Sequence, residues 1–191
     1  MAKLYFRHGA MGSSKSASAL MTRCNYLERN KKTLLVKPMI DTRDGSRTVS
    51  SRIGLKQEAI FFEELREYSD EKIKEYDAII IDEVQFINAE GIEFLVHIVD
   101  DLAVPVLCYG LKTDFRSELF EGSKRLMELA DEIEEIPTVC WCGKKARFNA
   151  RVIDGKVVTE GEQIMLGANE SYVSLCRKHF FNKDLGPQNK E

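Results

Sequence analysis

Residues 9–16 read Gly-Ala-Met-Gly-Ser-Ser-Lys-Ser and follow almost directly on the short β-type run Leu4–Phe6. The next segment, Ser16–Asn30, has helical character, so the order along the chain is strand, glycine-containing loop, helix. The loop fits the phosphate-loop pattern G-x-x-x-x-G-K-[ST] except at Ser14, which replaces the second glycine. A loop that enters a helix turns several backbone N–H groups toward one point, where the helix dipole adds positive potential. This stretch therefore predicts a binding site for the phosphates of a nucleotide.

Two side chains of this loop suit a nucleoside triphosphate. Lys15 supplies a cation for the β- and γ-phosphates, and Ser16 supplies a hydroxyl for Mg²⁺. The alternative interpretation is a polar turn before a helix that is capped by Ser13 or Ser14.

A carboxylate pair ends the apolar run Ala78–Ile81, which has the composition of a fully buried strand. Ligands of open α/β sheets bind at the carboxyl ends of the strands, where Asp82 is placed to hold Mg²⁺ through water. Glu83 is then available for chemistry. In an ATPase it would position a water molecule, and in a small-molecule kinase it would accept the proton of an attacking hydroxyl. The alternative is an acidic pair on the surface at the end of a strand.

Strand-like and helix-like segments alternate through the first 137 residues, a pattern that is typical of an α/β fold with a parallel sheet. Beyond the first strand and helix, the predicted strands are Thr33–Val36, Ala78–Ile81 and Val104–Tyr109, and the predicted helices are Glu63–Tyr76 and Ile92–Leu102. The polar stretch Asp41–Lys56 predicts either a flexible active-site loop or a disordered segment.

The composition changes after Pro137. Residues 138–181 contain three of the five cysteines and an Asp154-Gly155 pair, which predicts a tight hairpin. We therefore predict an α/β domain over residues 1–137, a small second domain over residues 138–181 and a polar, flexible tail over residues 182–191.

Cys140, Cys142, Cys176 and His179 form two close pairs of metal-type ligands in the second domain. Four such ligands can close a tetrahedral Zn²⁺ site with no open position, and a site of that kind is structural. The alternative is a set of buried free cysteines with a surface histidine. Cys24 and Cys108 have no ligand-like partners along the chain, so we predict both as core residues.

The overall composition excludes several classes of protein. The formal net charge is −3, so the chain has no overall excess of positive charge that would bind duplex DNA or anionic lipid. No apolar run approaches the roughly 18–20 residues of a membrane span, and the first residues lack the apolar core of a signal peptide. We therefore expect a cytoplasmic protein with reduced thiols.

Taken together, the motifs resemble the type II thymidine kinases, and the match runs in the family's order from Leu4 to His179. The motifs that carry the resemblance are the loop with Ala10-Met11, Asp41-Thr42-Arg43, Asp82-Glu83-Val84-Gln85-Phe86, Cys108-Tyr109-Gly110-Leu111, Thr113-Asp114-Phe115-Arg116, the Cys/His quartet, and Asn169-Glu170-Ser171-Tyr172-Val173-Ser174. The resemblance implies a RecA-like P-loop α/β domain with a parallel sheet, plus a small zinc-binding lasso domain that closes over the nucleoside.

The resemblance also implies an activity: transfer of the ATP γ-phosphoryl group to the 5′-hydroxyl of thymidine, giving thymidine monophosphate in nucleotide salvage. It implies a homotetramer with structural zinc and with magnesium bound alongside ATP, inhibited by thymidine triphosphate. The charge balance predicts no nucleic-acid or membrane partner.

Carried across residue by residue, the resemblance makes Glu83 the general base and Ser16 and Asp82 the magnesium-binding pair. The implied ATP site contains Gly9, Ala10, Met11, Gly12, Ser13, Ser14, Lys15, Ser16, Asp82, Glu83, Val84 and Gln85. The implied nucleoside site contains Met11, Asp41, Arg43, Phe86, Leu111, Phe115, Gln163, Ile164, Met165 and Tyr172. Without the resemblance, Met11, Phe86, Leu111, Phe115 and Tyr172 would be interpreted as ordinary core residues.

Two functions from other classes remain open from the sequence. The loop and the Asp-Glu-Val-Gln run also suit a P-loop ATPase of the helicase type, although a helicase needs two such domains and this chain has room for one. The second alternative function is that of a zinc-ribbon protein that binds nucleic acid. It is supported by the excess of positive charge in residues 138–181, which contain 7 Lys and Arg against 4 Asp and Glu.

Overall fold

The structure is a computed structural model that describes residues 1–40, 47–163 and 172–187. The elements up to residue 137 are β1 Leu4–His8, α1 Lys15–Leu27, β2 Thr33–Lys37, β3 Thr48–Ser50, β4 Lys56–Glu58, β5 Ile60–Phe61, α2 Phe62–Leu65, α3 Asp70–Ile73, β6 Ala78–Ile81, a 3₁₀ turn Val84–Phe86, α4 Ala89–Asp100, β7 Val106–Gly110, α5 Glu121–Leu129 and β8 Glu132–Glu135. The elements after residue 137 are β9 Thr138–Val139, β10 Lys145–Ala146, β11 Phe148–Ile153, β12 Lys156–Val158, β13 Tyr172–Leu175 and α6 Arg177–Phe181.

A six-stranded sheet organises the first part of the chain, with strand order β5-β2-β6-β7-β1-β8 and every pair parallel. β6 lies near the middle, and all four of its residues are buried. Ile79 and Ile81 pack into the cluster on one face of the sheet, while Ala78 and Ile80 pack into the cluster on the other. A continuous apolar run is needed because both faces are covered, so the predicted α/β fold with a parallel sheet is confirmed.

The helix predicted over Glu63–Tyr76 is wrong, because the structure has two short helices, α2 and α3, in its place. Ser69 interrupts the segment with extended backbone, and its side chain accepts a hydrogen bond of 3.4 Å from the Lys72 amide. A serine at this position competes with the helix by capping the following turn. The helices predicted over Ser16–Asn30 and Ile92–Leu102 are present as α1 and α4, with shifted ends.

Part of the polar stretch predicted as a loop is an antiparallel hairpin of β3 and β4. Lys37 donates to the Thr48 carbonyl at 3.1 Å, and Arg23 of α1 donates to the Gln57 side chain at 2.7 Å. The buried Val49 adds an apolar contact to the core beside α1. These contacts hold the hairpin against the end of β2 and against the first helix, and residues 41–46 of the same stretch lie outside the described residues.

The second part of the chain has its own small sheets and its own apolar cluster. Strands β12, β11 and β13 form an antiparallel sheet, and β9 pairs with β10. Asp154 and Gly155 have φ values of 50° and 71° between β11 and β12, so the predicted tight hairpin is present. The domain boundaries themselves stay a prediction.

The two cysteines predicted as core residues differ. Cys108 is buried in β7, and burial raises the pKa of its thiol, which makes it unreactive. The prediction for Cys24 is wrong: Cys24 is exposed on α1, because the helix buries Ala17, Ala19 and Leu20 on its inner side instead. Among the described residues, no helix combines the length and apolar character that crossing a membrane requires.

Candidate functional site

The glycine-containing loop connects β1 to α1 with two residues in the left-handed backbone region. Gly12 has φ 74° and Ser14 has φ 61°, and α1 begins at the next residue, Lys15. Ser14 occupies the N-cap position, but its side chain makes no capping hydrogen bond, and the buried Ser13 Oγ has no hydrogen-bond partner among the described residues. The capping by Ser13 or Ser14 that the alternative interpretation requires is therefore not present among the described residues. A glycine is favoured at position 14 by conformation, and serine there carries strain.

Two further contacts shape the loop. A Cβ at Gly9 would lie 2.5 Å from the carbonyl oxygen of Ile136, so only glycine fits where the loop leaves β1. The Lys15 ammonium donates to the Ala10 carbonyl at 2.9 Å and is buried beneath the loop. The loop thus curls around a cation at the start of a helix, which is the arrangement that binds phosphates.

A cavity of about 240 Å³ opens beside this loop. Its lining joins three segments: the loop with the start of α1, the β3–β4 hairpin, and the residues that follow β6 and β7. The lining residues are Met11, Gly12, Ser14, Lys15, Ser16, Ala17, Thr48, Val49, Ser50, Ser51, Arg52, Ile53, Asp82, Glu83 and Leu111. The phosphate loop and the acidic pair therefore share one cavity, as the sequence predicts.

Asp82 is buried at the end of β6, beside the first turn of α1. Burial, followed by the charge of Glu83, raises the pKa of Asp82 to about 7, and hydrogen bonding from Ser16 opposes the shift. The Oδ1 atom is buried without a hydrogen-bond partner among the described residues. A carboxylate oxygen with no donor, next to a serine hydroxyl, fits a Mg²⁺ ion, which prefers oxygen ligands.

Glu83 projects into the cavity from a strained backbone position, with φ 54° and ψ 38°. Gln85 Nε2 donates to Glu83 Oε2 at 2.5 Å, and Gln85 Oε1 accepts the Leu111 amide at 2.9 Å. A Cβ at Gly110 would come within 2.5 Å of Gln85 Oε1, so a glycine permits this approach. Gln85 and Val84 are buried and do not line the cavity. Gln85 therefore affects the cavity through its hydrogen bond to the Glu83 carboxylate.

The predicted nucleoside-site residues fall into separate groups. Met11 and Leu111 line the cavity, whereas Phe86 packs edge-on against Phe120, with ring centroids 6.1 Å apart. Phe115 and Tyr172 lie around the buried Arg151, described next. Asp41, Arg43, Ile164 and Met165 lie outside the described residues.

Arg151 joins the two parts of the chain. Its guanidinium carbon lies 3.7 Å from the centroid of the Phe115 ring, and its Nε donates to the Tyr172 hydroxyl at 2.9 Å. Gln163 accepts from Arg151 through its carbonyl at 3.3 Å and donates to Asp114 Oδ2 at 3.1 Å. The predicted residues Phe115, Gln163 and Tyr172 are thus brought together by an arginine that sequence reasoning did not single out.

Two arginines near the site were missed for different reasons. Arg151 is only 2% exposed, but the alternation of apolar and polar residues in Phe148–Ile153 predicts that Arg151 faces solvent, whereas the structure buries three consecutive residues of β11. Arg52 lies on the hairpin turn, and its Nη1 would be 3.5 Å from a Cβ at Gly12. The sequence marks Arg52 only as one of several charges in a polar stretch, although the cavity places this cation beside the phosphate loop.

The four predicted zinc ligands come together in the second part of the chain, and their ligand atoms all lie within 4.8 Å of one another. Cys140 Sγ and Cys176 Sγ lie 3.3 and 3.5 Å from His179 Nδ1, and Cys142 Sγ lies 4.0 Å from Cys176 Sγ. Tetrahedral Zn²⁺ with sulfur and nitrogen ligands separates them by roughly 3.5–3.8 Å. The cluster fits a structural zinc site.

The surroundings of the cluster orient its histidine. The Trp141 ring stacks on His179 with centroids 4.3 Å apart, and Asp184 Oδ2 lies 3.9 Å from His179 Nε2. Such outer contacts fix the ring of a metal ligand. Asp184 belongs to the predicted tail: its carbonyl accepts a hydrogen bond from Trp141 Nε1 and Leu185 packs against the apolar cluster, while residues 188–191 lie outside the described part.

The chain matches one family of known proteins over almost its whole length. The family model described as "Thymidine kinase" matches residues 2–180. The thymidine kinase of Lactococcus lactis subsp. lactis is 48% identical over 189 residues, covering 97% of this chain and 100% of the relative. The enzyme of Enterococcus faecalis is 46% identical and covers 95% and 96%. A solved DNA replication initiation factor aligns at 12% identity with a TM-score of 0.45, over 71% of this chain and 40% of that chain, a likeness too slight to bear on function.

We expect Ser14→Gly to lower the KM for ATP several-fold, corresponding to about 1 kcal/mol, with little change in the KM for thymidine. The substitution removes a Cβ from the phosphate cradle and places glycine at a left-handed position. Steady-state kinetics with each substrate varied will measure the effect. Ser14→Ala is the matched control, since it keeps the Cβ and should leave the KM for ATP near the wild-type value. A rise in the KM for ATP in Ser14→Gly would show instead that the serine hydroxyl contributes to binding.

We also expect one Zn²⁺ per chain in the purified protein, measured by elemental analysis. Cys176→Ser should lose the metal, because it removes one of four ligands. Cys24→Ser should retain it, because Cys24 is exposed on α1, outside this ligand set. Stripping the metal should reduce thymidine affinity more than ATP affinity. Active, unchelated protein that contains no zinc would contradict the assignment.

Proposed function

The chain belongs to the thymidine kinase family, and we propose that its phosphoryl transfer takes place in the cavity between the glycine-containing loop and the acidic pair after β6. The observation that carries the proposal is the sharing of this one cavity by Lys15, Asp82 and Glu83. A cation and a helix N-terminus suit the phosphates of ATP, and a carboxylate facing the same space suits a hydroxyl that must lose its proton. The ATP γ-phosphoryl group passes to the 5′-hydroxyl of thymidine.

In the proposed step, the 5′-oxygen of thymidine forms a bond to the γ-phosphorus while the bond to the β–γ bridging oxygen breaks. Glu83 takes the hydroxyl proton, and ADP leaves with the bridging oxygen. The backbone amides from Gly12 to Ser16 and the Lys15 ammonium hold the phosphates, so their negative charge is stabilised as it shifts. Glu83 and the phosphate loop follow β6 and β1, two parallel strands of one sheet that are separated by β7 and end at the same edge.

Two metals complete the proposal. Ser16 and Asp82 would hold Mg²⁺ together with ATP, and the ion supplies neutralisation of phosphate charge when it is bound. The support is the Oδ1 atom of Asp82, which is buried and has no hydrogen-bond partner within the part of the chain that the structure describes. Cys140, Cys142, Cys176 and His179 would hold a structural Zn²⁺ that keeps the second domain folded.

The remaining parts of the proposal rest on family resemblance. We propose a division into residues 1–137, 138–181 and 182–191, a nucleoside site that includes Met11, Leu111 and Tyr172, and a homotetramer in the cytoplasm that thymidine triphosphate inhibits. The separate apolar cluster of the second part of the chain supports the first boundary.

A panel of nucleosides with γ-labelled ATP tests the proposed function. We expect label to enter thymidine and to require it. Polynucleotide serves as the parallel arm: turnover stimulated by polynucleotide would favour an ATPase of the helicase type, and polynucleotide binding without turnover would favour a nucleic-acid binder. Either of those outcomes, without thymidine phosphorylation, would contradict the proposal.

We expect Glu83→Gln to lower kcat by about 10²- to 10⁴-fold, because an amide keeps the shape of the side chain but cannot accept the proton. ATP binding, measured by calorimetry, should survive. Glu90→Gln is the matched control, since Glu90 is exposed and pairs with Arg66 away from the cavity. If the Glu83 variant kept more than about half of wild-type turnover at saturating substrates, Glu83 would not be the base.

We expect Gln85→Leu to lower kcat roughly 10- to 100-fold with smaller changes in either KM, because the Glu83 carboxylate would lose its anchor. The pH profile of kcat should shift as well, which a purely structural defect would not produce. Asn88→Ala is the control, since it removes a helix-capping hydrogen bond to Gly91 outside the cavity. An unchanged kcat and pH profile in Gln85→Leu would show that Glu83 needs no positioning by Gln85.

A further inference from the structure

Two side chains of the second part of the chain hold one residue of the phosphate loop. Asn149 of β11 and Ser174 of β13 lie directly opposite each other in the antiparallel register. Asn149 Oδ1 accepts the backbone N–H of Met11 at 2.8 Å, and the Ser174 hydroxyl donates to the Met11 carbonyl oxygen. Both backbone polar groups of Met11 are therefore bonded by one cross-strand pair.

Asn149 is itself fixed in place. It is 3% exposed, and its Nδ2 donates to the Thr113 carbonyl at 3.0 Å, in the segment that follows β7. A buried amide that uses both its oxygen and its nitrogen has one favoured orientation. Asn149 thus links β11 to two separate loops at the edge of the parallel sheet.

The cross-strand pair is also tied to the metal cluster. Ser174 lies two residues before the ligand Cys176, and Phe148, next to Asn149, stacks on Phe180 of α6 with ring centroids 4.9 Å apart. Helix α6 contains the ligand His179. The positions of Asn149 and Ser174 therefore depend on the same small core that the four ligands assemble.

Met11 is the residue of the loop where such a restraint has most effect. The next residue, Gly12, has φ 74°, and glycine rotates more freely than any other residue. The N–H of Met11 is directed at Asn149, so the amides left for the phosphates are those that follow it. Because both the N–H and the carbonyl of Met11 are hydrogen-bonded, the backbone that continues through Gly12 starts from a fixed position.

We propose that Asn149 and Ser174 are positioning residues that lock Met11 and thereby preorganise the phosphate loop from the zinc-binding part of the chain. The proposal rests on the proposed function only in taking residues 9–16 as the ATP phosphate site. It gives the second part of the chain a role in ATP binding besides its role toward the nucleoside, and preorganisation of this kind lowers the cost of binding.

The test compares Ser174→Ala and Asn149→Ala with wild type in the full-length, zinc-loaded protein. ATP affinity is measured by calorimetry, and hydrogen exchange is measured over residues 9–16. We expect ATP Kd to rise about three- to tenfold in Ser174→Ala, which loses one hydrogen bond, and further in Asn149→Ala, which loses two. Amide exchange over the loop should become faster in both variants, and kcat should fall more than the KM for thymidine rises.

Two further variants separate positioning from general damage. Ser174→Thr keeps the hydroxyl and should restore ATP Kd to within twofold of wild type. Val157→Ala trims the apolar cluster of the same domain without contacting Met11, and it should leave ATP Kd and loop exchange unchanged. If Asn149→Ala does not fold, Ser174→Ala still decides the question, because it removes a single oxygen atom.

The result that would overturn the proposal is wild-type ATP Kd and wild-type loop exchange in Ser174→Ala and Asn149→Ala, or equal changes in Val157→Ala. Failure of the proposed function would look different: the wild-type protein would not phosphorylate thymidine. The exchange rates over residues 9–16 would still show whether the pair restrains the loop, because they need no phosphoryl acceptor.

Discussion

Burial of β6 on both faces is the constraint on which the site depends. Ala78–Ile81 packs into an apolar cluster on each face and is bounded by Asp77 and Asp82, so a shift of one residue would bring a carboxylate between the two clusters. The chain must therefore leave the sheet at Asp82, beside the loop that leaves β1. Parallel strands end at the same edge, and this places the carboxylates of Asp82 and Glu83 against the phosphate loop. The residue at which the apolar run ends therefore determines where these two carboxylates lie.

The site stores strain at the residues that face the cavity. Ser14 and Glu83 both have left-handed backbone, which costs a residue with a side chain of the order of 1 kcal/mol. Gly110 is needed for a different reason, since it lets Gln85 reach both Glu83 and Leu111. The sheet can support these local costs because its central strands β2, β6 and β7 are fully buried. The strain at Glu83 matters more for function, because its left-handed backbone directs the side chain into the cavity.

Sequence alone predicts the parts of this structure that local patterns control. The apolar run of β6, the loop at residues 9–16 and the spacing of the four Cys/His ligands each carry enough information within a few residues. The helix predicted across Ser69 fails because a polar side chain caps a new helix there, and Cys24 is exposed because α1 buries small residues instead. The contacts of Asn149 and Arg151 could not be predicted, since they join segments far apart in the chain and only folding brings them together.

We propose that a phosphoryl group passes from ATP to a sugar hydroxyl within this cavity. The fate of the γ-phosphoryl group tests this most directly, and ³¹P NMR of one reaction containing the protein, ATP, Mg²⁺ and thymidine measures it. We expect thymidine monophosphate and ADP in equal amounts, with no accumulation of inorganic phosphate. ADP accompanied by inorganic phosphate, with thymidine left unphosphorylated, would contradict it.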